Sequence, residues 1–170
     1  MTFSAAPDSP TRRSNVSDVP ALVFILAGER YALPADDVRG VVRAALPARL
    51  PKAPPIVEGV LNVRGDLVPL LDVRRRFGLP PRPISPTDHI IVASAGERVV
   101  AFTVEHALDI VRIAAAEIHA ATEISAGTEH VAGIARLPDG LLVIYDLRAF
   151  LSADEALGLD RSLAAAVQAS

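Results

Sequence analysis

The chain has 170 residues, 51% of them hydrophobic but only 4% aromatic, so its core has to be built from Val, Leu, Ile and Ala, whose β-branched members favour sheet. Seventeen basic against twenty acidic residues leave a net charge of −3, without the basic excess expected of a nucleic-acid binder. The absence of cysteine excludes disulfides and thiolate chemistry, and no apolar run approaches the ~20 residues needed to cross a bilayer.

Residues 1–20 are rich in Ser, Thr, Pro and Asp, have no apolar secretory segment and read as a mobile tail. ALVFILAGERYALP, from Ala21, is two short apolar runs around Gly28-Glu29, a hairpin. Val38 to Ala44 is a further β-rich run, and Pro47, Pro51, Pro54 and Pro55 stiffen the connection after it. GVLNVRGDLVPLLDVRRRFG, Gly59 to Gly78, then parses as strand, tight turn at Arg64-Gly65-Asp66, return strand and short helix. Asp72 caps that helix, Val73 to Phe77, and Gly78 and Pro80 end it. Pro69 cannot donate to a ladder and places its strand at an edge or a bulge. Leu79 to Thr87, LPPRPISPT, reads as the crossing between two halves. His89–Ser94, Arg98–Val104 and Leu108–Ile113 are three more strands. Ile113 to Thr128 is expected to give a helical turn and then loop, and 152–170 an amphipathic C-terminal helix.

The second half repeats the first. AGERYAL at 27–33 returns as AGERVVA at 95–101, an offset of 68. Gly59 meets Gly133, and Leu67-to-Asp72 meets Leu141-to-Asp146, at an offset of 74. Asp146 again caps a short helix, LRAFL, with Arg148 opposite Arg74. Two copies of a strand-rich unit predict two small barrels related by pseudo-symmetry, not a solenoid.

Gly59, Val60, Asn62, Arg64, Gly65, Pro69 and Asp72 stand in register with the signature of the CheW family, the coupling proteins of bacterial chemotaxis, roughly G-V-x-N-L-R-G-x-V-V-P-V-V-D-L. The sequence resembles that family from about Leu22 to Leu151. The resemblance implies an all-β fold with short helices: two five-stranded SH3-like barrels packed together, plus a C-terminal helix. The barrels are expected at about 21–80 and 88–151, contiguous or interleaved, between the tail 1–20 and the helix 152–170. It further implies a cytoplasmic, non-enzymatic adaptor, recruited to membrane-anchored arrays without inserting in the membrane. Its partners would be the tips of chemoreceptors (methyl-accepting chemotaxis proteins) and the regulatory domain of the histidine kinase CheA, with no cofactor, metal or nucleic acid. A coupling protein of a pilus-motility or other non-flagellar pathway is the alternative. Carried over by position, the receptor-binding residues are Arg64, Gly59 and Asn62, and the kinase-binding residues Leu22, Ala35, Val38 and Val41.

The residues bear their own readings. An Arg on a tight turn is an ordinary surface charge, or a planar five-donor fork held on a rigid platform for recognition. Many family members carry V-x-E-[IV], a Glu that can pair with the signature Arg. Here that place is Gly40, which leaves Asp36, Asp37, Glu58 or Asp66 as substitutes. Gly59 fits a bulge or a close approach by another helix. Arg74, Arg75 and Arg76 are expected to form a solvated face, and the four histidines are too scattered for a metal site. No phosphate-binding loop, nucleophile elbow, zinc-protease or dinucleotide motif is present. Asp72 and Asp146 resemble a symmetric carboxylate pair but lack D-[ST]-G and are read as caps. An enzyme with dispersed catalytic residues and a nucleic-acid-binding barrel are the alternatives from other classes.

Overall fold

The structure, a computed structural model, describes residues 18–120 and 130–168. Its strands are β1 (Asp18–Leu26), β2 (Glu29–Pro34), β3 (Val38–Arg43), β4 (Val57–Val63), β5 (Asp66–Leu71), β6 (His89–Ala95), β7 (Arg98–Val104), β8 (His106–Ala114), β9 (Ile118–Ala120), β10 (Val131–Leu137) and β11 (Gly140–Tyr145), with helices α1 (Val73–Arg76) and α2 (Ala153–Gln168). Asp18 to Pro20, expected in the tail, already belong to β1; the rest of the tail lies outside the described residues. The helical turn expected after Ile113 is a 3-10 turn, Ala115–Glu117, but β9 follows it; residues 121–129 of the expected loop lie outside the described residues.

The strands form a six-stranded sheet, β8-β1-β2-β11-β10-β9, and a five-stranded sheet, β3-β6-β7-β5-β4. The short β9 is the strand beyond the expected five. The contiguous division at 21–80 and 88–151 therefore does not describe the sheets, which interleave. Each repeat opens with a hairpin, and each sheet takes its hairpin from the other repeat. β1 has β2 on one side and β8 on the other, so it offers β3 no edge, and β3 pairs with β6 instead. We call the five-stranded unit the first barrel and the other the second.

Strand alternation explains what this exchange achieves. On β1, Ala21 and Val23 fill the second barrel, while Leu22, Phe24 and Leu26 face the seam between the barrels. On β6, Ile90 and Val92 fill the first barrel, while Ile91 and Ala93 face the same seam. Both hairpins are thus buried on both faces, which is why their sequences barely alternate. Both barrel interiors are aliphatic. Among the described residues, the Phe and Tyr side chains collect at the seam, where Phe24, Tyr31, Phe77, Phe102, Tyr145 and Phe150 form one connected set of rings.

The structural repeat differs from the word repeat by one residue. Leu26 pairs with Glu29 across the first hairpin and Ala95 with Arg98 across the second, an offset of 69. The turns are Ala27-Gly28 and Gly96-Glu97, so the shared word AGER straddles them differently. In the later segment the offset of 74 holds. Asp72 accepts from the Arg75 amide at 3.0 Å and Asp146 from the Arg148 amide at 3.0 Å, so both carboxylates cap their helical turns.

Pro69 lies inside the sheet, yet breaks no ladder. The N–H and C=O of Val60, its partner, both bond Ala48 (2.8 and 2.9 Å), so the Val60–Pro69 pair is a non-hydrogen-bonded one. The proline nitrogen faces away from β4, where pairing with β7 begins only at Leu70.

Candidate docking surface

The β4–β5 hairpin turns on Arg64 and Gly65, with φ of 52° and 92°, as a two-residue primed turn requires. Asn62 Oδ1 accepts from the Gly65 amide at 2.8 Å and locks the turn. Arg64 is exposed, and among the described residues it forms no ion pair or hydrogen bond; none of Asp36, Asp37, Glu58 and Asp66 reaches it. Its fork is therefore held in place by the backbone and left open to solvent.

Beside it runs a groove of about 470 Å³ across the first barrel. One wall is the edge strand β3, with Arg39, Val41 and Val42; the other is the hairpin, with Arg64, Asp66 and Leu67. Val41 is 43% and Leu67 52% exposed, so apolar surface faces solvent here. The groove brings two of the expected site residues together, Arg64 and Val41.

The other expected positions fall elsewhere. Leu22, expected to touch the kinase, is only 5% exposed and packs in the seam, so it offers no docking surface. Its alternation phase on β1 points it inward. Val38 is half-buried against the same seam, and Ala35 lies half-buried in the 3-10 turn Ala35–Asp37. Gly59 sits in a bulge between Val57 and Gly59, and a Cβ there would overlap the Ala48 carbonyl oxygen and lie 2.8 Å from Pro47 Cβ. The close approach is thus made by the chain's own proline-rich segment.

The Arg74–Arg76 run is not the expected solvated face. Arg74 Nη2 bonds Glu105 Oε1 at 2.8 Å, and Arg76 Nη2 bonds both carboxylate oxygens of Glu155 at 2.6 Å. Only Arg75 is exposed. Arg76 ties α1 to α2; Glu105 also accepts from the Ala27 amide at 2.8 Å, joining α1 to the turn of the first hairpin. Among the described residues, no group of three or more His, Asp or Glu is placed to hold a metal.

Sequence reading missed Val42, Leu67, Arg98 and Leu163, all of which line the groove. A signal for Leu67 existed: Val68 and Leu70 point into the first barrel, so an alternating strand turns Leu67 outward. Leu163 gave none, because its place depends on where α2 packs.

Comparison with known proteins fits this frame. The CheW-like domain matches residues 20–155. The chain belongs to the CheW family. It is 30% identical over 139 residues to the chemotaxis protein CheW of Klebsiella aerogenes, covering 79% of this chain and 82% of that protein. It is 30% identical over 132 residues to the Bacillus subtilis CheW, covering 76% and 85%, and 28% identical over 113 residues to Protein FrzA of Myxococcus xanthus, covering 66% and 71%. The crystal structure of the scaffolding protein TtCheW from Thermoanaerobacter tengcongensis superposes with a TM-score of 0.74 at 27% identity, over 81% of this chain and 95% of that one. The CheW-like match ends at Glu155, in the first turn of α2, so Leu163 lies beyond it.

Proposed function

We propose that this CheW-family protein is a non-enzymatic, cytoplasmic adaptor that couples chemoreceptor tips to the regulatory domain of the histidine kinase CheA. The observation that carries the reading is an Arg64 without a partner among the described residues, fixed on a primed turn, at the mouth of a mixed polar and apolar groove whose far wall exposes Val41. Arg64 meets the receptor. Gly59 and Asn62 serve that contact by holding the hairpin, one by admitting Ala48 and the other by bonding Gly65. Val41, on the edge strand, meets the kinase, with Ala35 and Val38 behind it. Two partners on the facing walls of one groove share an interface, through which receptor state can bias the kinase.

The test is binding of two variants to a purified receptor tip fragment and a purified kinase regulatory domain. Arg64→Ala should weaken receptor binding by ~1–3 kcal/mol and change stability by less than ~0.5 kcal/mol, with kinase binding intact. Val41→Asp should weaken kinase binding by ~2 kcal/mol or more. Val38→Asp is the poorer probe, because Val38 packs half-buried against the seam and a charge there would also lower stability. Unchanged affinity of both folded variants for both partners would sink the reading.

A further inference from the structure

We infer that helix α2 completes the docking groove: its Leu163 grips one end of an apolar, carboxylate-flanked segment of the receptor tip. The inference rests on the reading that the receptor docks in this groove through Arg64, beside the kinase contact at Val41.

Helix α2 follows the second repeat in the chain but packs on the first barrel. Gly158 lies against Pro54, where an added Cβ would stand 3.1 Å from Pro54 Cγ. Leu159 is fully buried in the seam, and Asp160 pairs with Arg98 of β7 at 2.5 Å. Leu163, one turn beyond Leu159, then reaches the groove, where it shares the lining with Val41, Val99 and Leu67. The helix is pinned one turn before this residue, and Leu163 itself packs half-buried against the seam, so it is a fixed part of the wall.

The charge of the lining selects the occupant. Arg39, Arg64 and Arg98 stand on it against the single acidic Asp66. Asp160 neutralises Arg98, and the Arg39 Nε donates to the Ser94 hydroxyl at 2.7 Å, so among the described residues Arg39 and Arg64 have no counter-ion. Valine and leucine between them favour an apolar strip, while the arginine rim favours carboxylates on its flanks.

The experiment titrates the full-length chain with the receptor tip fragment and, separately, with the kinase regulatory domain. Leu163→Glu should weaken receptor binding at least tenfold and Leu163→Ala severalfold. Leu157→Glu, on an exposed position of the same helix outside the groove, should change nothing. Circular dichroism checks the fold, and Leu163→Ala carries the test if the Glu variant unfolds. Wild-type receptor binding by Leu163→Ala, or loss of kinase binding alone, would overturn the inference. Arg64→Ala, run in parallel, separates the two readings. If it binds normally while the Leu163 variants fail, the role of Arg64 falls and the α2 wall stands; the reverse pattern removes the wall and keeps Arg64.

Discussion

Gly59 and Gly133 meet the same neighbour in the two repeats. Each follows a bulge at the start of its strand, and each lies under a carbonyl from the segment alongside: Ala48 for Gly59, and His119, 2.9 Å from an added Cβ, for Gly133. Ala48 bridges Val60, and His119 pairs with Ile134, the equivalent residue 74 positions on. The two glycines are fixed by this backbone-on-backbone contact.

Substitution at these glycines should therefore cost stability. Gly59→Ala forces the Ala48 carbonyl and Pro47 aside and should lower unfolding free energy by ~2–3 kcal/mol. Gly133→Ala should cost ~1–3 kcal/mol, the milder end applying because one of its contacts is the Ile118 side chain, which can turn. Gly40→Ala, with open space around it, should be within ~0.5 kcal/mol of wild type. Urea denaturation of the three variants checks this ranking. Equal stability of Gly59→Ala and Gly40→Ala would free Gly59 for a direct contact with a partner.

Glu58 supplies a pH dependence. Partial burial pushes its carboxyl up to about 7, and the negative charge of Asp72 adds to the rise. The residue as a whole is exposed, yet it lines a dent with Leu26, Leu71 and Val73, which removes water from the carboxyl end. A carboxyl whose folded pKa is raised holds its proton better in the folded state. Its stabilisation is full below the ordinary value of 4.5 and is lost as pH rises through about 7. Wild-type thermal stability should fall between pH 5 and 8, and Glu58→Gln should flatten that slope. Solvent screening limits the effect to about 1 kcal/mol or less. An identical slope in the variant would show that the carboxyl stays hydrated.

Much of this was legible in the sequence, and the misses share one cause. The hairpin GVLNVRGDLVPLL, its capped helix and the second copy 74 residues on are set by local turn, cap and alternation rules, and all appear where those rules put them. Arg64 was legible for the same reason, since its exposure follows from the turn. The exchange of hairpins was not, because β2 and β7 carry no mark of which sheet will pair them; only the lack of a free edge on β1 decides it. Leu22 shows the consequence. Its strand was read correctly, but its side faces a seam that exists only once both barrels are assembled. Arg76 was read as solvated because its partner Glu155 lies 79 residues away on a helix whose docking the sequence does not encode locally.

That pairing yields the last prediction. Glu155 sits in the first turn of α2 and does two jobs there. It accepts from the Ser152 amide at 2.9 Å while Ser152 Oγ accepts from the Glu155 amide at 3.1 Å, a reciprocal cap. It also takes Arg76 Nη2 on both oxygens at 2.6 Å, with each side chain only 22% exposed. Partial burial pushes the carboxyl's pKa up, but the hydrogen bonds from Ser152 and Arg76, with the Arg76 charge, outweigh it and hold the carboxyl below its ordinary value. Glu155→Ala removes the carboxylate's half of the cap and the ion pair together and leaves Arg76, whose buried Nε has no partner among the described residues, without its counter-ion. The expected loss is ~2–3 kcal/mol. Glu155→Gln keeps an acceptor for both and should cost ~1 kcal/mol. With a lowered folded pKa, the charged form's contribution is present above the ordinary carboxylate value and lost as pH falls through the folded one. The wild type should therefore lose its advantage over Glu155→Gln in acid. Because the same residue anchors the start of the helix that carries Leu163, Glu155→Ala should also weaken receptor binding per folded molecule, and kinase binding much less. Full receptor affinity in a folded Glu155→Ala protein, at normal helix content, would mean that α2 docks without this tie.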